Sequence, residues 1–147
     1  MRWGLILALS AFGVLMAIGR IYGLFEGFDW PVAIVTWILY AATLGTFARG
    51  KYFMHGFWVG IISGVIGVVL MYFLFDTYVA NSASAREAMA KLPEGWDMRN
   101  LSLITSVIFV PIGAVVTGLL AMLGGKVLGS KATPEAASTG GPTTPSA

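Results

Sequence analysis

The segment YFMHGFWVGIISGVIGVVLMYFLF, residues 52–75, runs for 24 positions without an Asp, Glu, Lys or Arg. A helix of about 20 apolar residues crosses the roughly 30 Å hydrocarbon layer of a bilayer, so this stretch reads as a transmembrane helix. Gly56, Gly60 and Gly64 recur in it at every fourth position, with Gly67 three residues further on. Lipid tails are as apolar as leucine, so helices in a membrane associate through close packing. A row of small residues is what lets two backbones approach. The segment therefore sets both the class of protein and the face on which this helix meets another.

Three further apolar runs lie around it. One spans about residues 3–25, one residues 30–48 and one residues 101–123. With the third at about 55–75, each reaches or nearly reaches the length that a spanning helix needs. The runs are continuous and do not alternate with polar residues, which excludes spanning β-strands. The sequence predicts an all-α, polytopic membrane domain over residues 1–130, with four transmembrane helices. A short interfacial helix is expected between the third and fourth. Arg2 followed by an apolar run and Ala17-Ile18-Gly19 has some features of a cleaved signal peptide. The apolar character continues past Arg20 to Phe25, so the first helix is expected to be retained.

Composition supports the same class. Hydrophobic residues make up 57% and charged residues 11% of the 147, against about 25% charged in soluble domains, and the mean hydropathy is +0.82. There is no cysteine, which removes disulfides, thiolate metal sites and thiol redox chemistry. A single histidine, His55, cannot supply a bis-histidine haem within one chain. The net charge of +2 gives no case for nucleic acid. The bilayer is the partner that the composition implies, with a homo-oligomer or another membrane protein as further candidates.

Local signals place the helix ends. Asp29 before Trp30-Pro31 and Asn100 before Leu101 occupy capping positions. Gly124-Gly125 before Lys126 resembles a helix terminus with a favourable cation. Pro111 predicts a kink in the fourth span. In the polar segment 76–100, Ser84-Ala85-Arg86-Glu87 has capping-box spacing, and Ala85, Ala88, Met89 and Leu92 follow at helical intervals up to Pro93. A loop helix is therefore expected over about 84–92, with Trp96 at headgroup depth. Residues 131–147 hold Ala, Thr, Ser, Gly and Pro with one acid, Glu135, and one base, Lys131. Such a tail cannot bury a core and is expected to be disordered.

Orientation rests on basic residues in the loops. The side holding both termini would carry Arg2, Arg49, Lys51, Lys126 and Lys131, and the other side Arg20, Arg86, Lys91 and Arg99. The short loop at Arg49–Lys51 adjoins two spans, where charge counts most, which favours cytoplasmic termini.

Candidate chemistry is sparse. Ionisable side chains within a bilayer are expensive and mark transport or catalysis, and the inner portions of these four spans contain none. No catalytic residue, cofactor site or metal site is expected. Arg20 can snorkel, or pair with Glu26 or Asp29, while His55 and Asp76 stand at opposite ends of the third span. Thr36, Thr43, Thr46, Ser63, Ser102, Thr105, Ser106 and Thr117 fall within spans, where each can bond its own helix carbonyl four residues back. The strongest constellation is one of small residues. Gly56, Gly60, Gly64 and Gly67 face a matching series at Gly113, Thr117, Ala121 and Gly125, with shorter repeats at Ala41 and Gly45 and at Gly4 and Ala8. The expectation is that the third and fourth helices pack stripe to stripe, with homo-oligomerisation as the competing use of the same motif.

The order of parts from Phe57 through Tyr72, Phe73, Phe75, Tyr78 and Asn81 to the fourth span and its closing Lys126 resembles a loose set of uncharacterised small bacterial four-helix integral membrane proteins. The resemblance is architectural. It implies a bacterial inner-membrane protein and brings no catalytic residue with it. The function expected on these grounds is a non-enzymatic structural or accessory role. The alternative is an oligomeric channel or transporter with its path at the small-residue interfaces.

Overall fold

The computed structural model describes residues 2–48 and 50–128. The expectations for Arg49, Lys131 and the tail 131–147 lie outside the described residues. The chain is all-α: α1 (Trp3–Ile21), α2 (Asp29–Phe47), α3 (Tyr52–Phe73), α4 (Phe75–Asn81), α5 (Ala83–Ala90) and α6 (Met98–Leu128). No strand occurs among the described residues. Four helices, α1, α2, α3 and α6, are long and apolar enough to cross a membrane. Their outward faces carry large apolar side chains such as Leu15, Ile38, Phe73 and Val107, all more than half exposed. Apolar surface on this scale would drive association in water and is the natural boundary with lipid.

Helix ends differ from the sequence reading in ways that follow from who bonds whom. α1 stops at Ile21, because the chain then turns through Gly23 at φ +72. That conformation favours glycine, and a Cβ at Gly23 would stand 2.5 Å from the Asn81 carbonyl oxygen. Asp29 is the first residue of α2 and makes no capping bond. Its carboxylate meets Arg20 instead, with Nε to Oδ1 at 3.2 Å. α6 begins at Met98, and Asp97 holds its start: Oδ1 accepts from the Arg99 backbone N–H and Oδ2 from the Asn100 amide, both at 2.9 Å. Asn100 thus sits inside the helix rather than capping it. α6 then continues unbroken past Pro111 and past Gly124-Gly125 to Leu128. The glycine pair does not end the helix, because its missing side chains serve packing against α2 and α3.

The connection between α3 and α6 contains two short helices. α4 follows α3 after a turn at Leu74, and Arg86 closes its C-terminus by donating from Nη1 to the carbonyls of Val79 and Ala80 at 3.1 and 2.6 Å. α5 is capped by Ser82, whose Oγ accepts from the Ala85 N–H at 3.2 Å, and not by Ser84. The Ser84 N–H is held by Glu26 Oε1 at 3.1 Å, which ties the α1–α2 turn to the start of α5.

Contacts between side chains give the helix directions. Trp3 lies against Trp58 with ring centroids 6.3 Å apart, and Gly13 abuts Ser63, so α1 and α3 run parallel. Gly56 meets Thr117 and Gly64 meets Val110, so α3 and α6 are antiparallel. The Tyr40 hydroxyl donates to the Leu9 carbonyl at 3.1 Å, and Leu5 and Leu9 pack on the buried cluster of Leu44, Ala48 and Ala121. α3 is flanked by α1 and α6, and α2 closes the bundle against the lower half of α6. At the same end His55 is buried, with Nδ1 2.9 Å from the Lys51 carbonyl and Nε2 accepting from the Arg2 backbone N–H at 3.0 Å. It pins the start of α1 to α3 and lies inside the bundle rather than at its surface.

Candidate functional site

The α3–α6 seam is built by glycine. A Cβ on Gly56 would lie 2.6 Å from the Thr117 carbonyl oxygen and 2.8 Å from Ala121 Cβ. One on Gly60 would lie 2.5 Å from Ala114 Cα, and one on Gly64 2.8 Å from a Val110 methyl. Real Cβ atoms do not approach so closely, so at Gly56 and Gly60 backbone rests nearly on backbone. Gly125 faces the Tyr52 ring, and Gly67 meets Ala17 of α1 with 3.7 Å between Cβ positions. Gly113 is outside the seam, since a Cβ there would have nothing within 4 Å. The α6 side of the seam is Val110, Ala114, Thr117, Gly118, Ala121 and Gly125. Three of these were not singled out from the sequence.

A second close approach joins α2 to α6. A Cβ on Gly45 would lie 2.6 Å from the Gly124 carbonyl carbon and oxygen, and one on Gly124 would overlap the Ala41 carbonyl. Ala41 and Gly45 stood out in the sequence as a brief small-residue repeat, whereas Gly124 resembled a terminator.

Above this contact the four long helices line an open cavity of about 620 Å³. That lies within the roughly 300–1,000 Å³ of small-molecule sites. It reaches Arg20 and Asp29 at one end and stops at Gly13, Tyr40, Gly60 and Thr117. Below that floor Leu44, Ala48 and Ala121 form a buried cluster. From Asp29 to Tyr40 are eleven residues, or about 16 Å of helix at 1.5 Å per residue. Trp37 and Phe109 line the cavity and are themselves 36% and 64% exposed. Together with the open space over Gly113, they mark a side on which the cavity is open.

Five hydroxyls on the cavity wall are occupied. Thr36 donates to the Val32 carbonyl at 2.9 Å, Ser63 to Val59 at 2.6 Å, Ser106 to Ser102 at 2.7 Å and Thr117 to Gly113 at 2.8 Å. Tyr40 is committed to Leu9. Those five hydroxyl protons are spent on helix backbone, whereas Ser102 and Tyr78, which also line the cavity, have hydroxyls without a hydrogen-bond partner among the described residues. Ser10 is different. It is buried, and its Oγ has no hydrogen-bond partner among the described residues.

Charge lies at the rim. Arg20 and Asp29 are paired through Nε and Oδ1, with side chains 57% and 43% exposed. Among the described residues the Arg20 Nη groups and Asp29 Oδ2 have no further protein partner. Glu26 stands beside this pair with Tyr78 and Ser82. Asp76 pairs with Arg99 at 2.7 Å, and the Arg99 guanidinium lies over the rings of Phe75 and Tyr72 at 5.4 and 5.8 Å. This combination fixes the start of α6 against the end of α3. No group of three or more metal-ligating side chains occurs among the described residues.

Fold and cavity together define a multi-pass helical membrane protein. No protein-family model, curated protein or solved structure matches the chain.

Proposed function

We propose that this chain is a non-enzymatic structural or accessory component of a bacterial inner membrane, with its termini in the cytoplasm, acting as a self-contained bundle that accommodates an apolar molecule. The observation that carries the reading is the shape of the cavity. It ends at the level of Tyr40 and Thr117, about half-way through the bundle, with the buried Leu44–Ala121 cluster beneath it. A blind-ended pocket most of whose hydroxyls donate to backbone supports holding a molecule better than passing one. Trp96 and the short α5 support a connection that rests at the membrane surface on the far side from the termini.

The alternative is an oligomeric channel or transporter with its path at the small-residue interfaces. It has less support, because Gly56, Gly60, Gly64, Gly45 and Gly124 already meet backbone or side chains of the same chain. The discriminating experiment is purification in mild detergent, with mass and bound molecules measured, followed by ion and solute flux in proteoliposomes. A monomer that retains a small molecule and gives no flux is expected. An oligomer with flux that Gly60→Leu abolishes would overturn the reading.

A further inference from the structure

The cavity has a depth, an open side and a charged rim, and each restricts its occupant. The distance from the rim at Asp29 to the floor at Tyr40 is about 16 Å, close to half of the roughly 30 Å hydrocarbon core. The pocket is thus one leaflet deep. It is open rather than enclosed, and the exposed rings of Trp37 and Phe109 on its wall mark the side from which a hydrocarbon chain would enter. The Thr36, Ser63, Ser106 and Thr117 hydroxyls of its wall donate to their own helix backbone, so a chain lying against them leaves those donors satisfied.

The rim selects a headgroup. Arg20 presents two Nη groups, while Asp29 Oδ2 presents a negative oxygen beside them and Glu26, whose Oε1 holds the Ser84 N–H, adds a second negative charge. A phosphate bonds to a guanidinium, and an ammonium carrying N–H donors bonds to the adjacent carboxylates, without breaking the Nε–Oδ1 pair. A purely anionic headgroup would meet two acids for one base. A quaternary ammonium would bring charge with no donor. We propose that the cavity binds one phosphatidylethanolamine molecule from the leaflet on the Arg20 side. One acyl chain lies against Gly64, Gly67 and Gly113, and the headgroup sits across Arg20 and Asp29. This rests on the reading of the cavity as a binding pocket and names its ligand.

The test uses the full chain in nanodiscs made of equal parts phosphatidylethanolamine, phosphatidylcholine and phosphatidylglycerol, with retained lipid counted by native mass spectrometry. One retained lipid per chain is expected, enriched about tenfold in phosphatidylethanolamine, the scale of one hydrogen bond to a charged group. Gly113→Leu grows a side chain into open cavity space and should abolish retention while circular dichroism stays unchanged. The double variant Arg20→Gln, Asp29→Asn should still retain a lipid but without headgroup preference. Retention without preference in the unaltered chain, preference surviving in the double variant, or retention surviving Gly113→Leu would each overturn the proposal. A non-lipid molecule expelled by Gly113→Leu would overturn it too while leaving the pocket reading intact. Flux through the protein would instead count against the pocket reading itself.

Discussion

Two glycines show how differently one residue type is used in this bundle. Gly60 has Ala114 backbone 2.5 Å from where its Cβ would be, and Gly113 has nothing within 4 Å. Gly60→Leu should therefore force α3 and α6 apart and cost about 3 kcal/mol or more, at the upper end of overpacking effects. Gly113→Ala should stabilise by about 0.5–1 kcal/mol, since glycine is the weaker helix former. Both are read by the denaturant dependence of helical circular dichroism in detergent micelles. Ser10 offers a third test at this scale. Its buried hydroxyl has no partner, so Ser10→Ala should raise stability by about 1 kcal/mol, the cost of an unsatisfied buried polar group. A loss of stability in the same assay would mean that Ser10 Oγ is bonded in the membrane.

At the level of elements, the spans were legible and their seams only partly so. A run of 24 residues without charge has one physical solution in a bilayer, which is why four helices could be read directly. The partners of α6 could not. Gly113, Ala114, Thr117, Gly118, Ala121, Gly124 and Gly125 offer several overlapping four-residue lines on adjacent faces. Only the facing helix decides which line is used. The line read from the sequence shares Thr117, Ala121 and Gly125 with the seam that forms and misses at Gly113, which lies on the cavity. The cavity itself was illegible, because it depends on how four helices are placed relative to one another rather than on composition. Polar caps were also misassigned for a local reason. Where Ser82 and Ser84, or Asp97 and Asn100, stand two or three residues apart, either can cap, and the choice falls to the residue whose neighbour finds another partner. Glu26 takes the Ser84 N–H and leaves Ser82 to cap α5. Glu26→Ala should accordingly speed amide hydrogen exchange at Ser84 several-fold, while exchange in α3 stays slow. Unchanged exchange at Ser84 would show that α5 holds its start without the α1–α2 turn.

For the whole molecule, the open question with most consequence is which way the bundle faces, because that decides which leaflet the cavity reads. Arg2 and Lys51 share one end, near His55, and Arg20, Glu26, Asp29 and α5 share the other. Basic residues in short loops beside spans are retained in the cytoplasm, so the His55 end should be cytoplasmic and the cavity should open to the outer leaflet. The chain has no cysteine, so single cysteines report position without background. Glu94→Cys, exposed in the connection between α5 and α6, and Lys51→Cys, exposed between α2 and α3, lie at opposite ends of the bundle. A membrane-impermeant maleimide should label Glu94→Cys in intact cells and Lys51→Cys only after permeabilisation. The reverse pattern would turn the bundle over and place the pocket in the cytoplasmic leaflet, with its depth and rim unchanged. Labelling of both from outside would be more damaging. It would mean that α3 does not cross the bilayer, and a cavity bounded by α3 could not then be one leaflet deep.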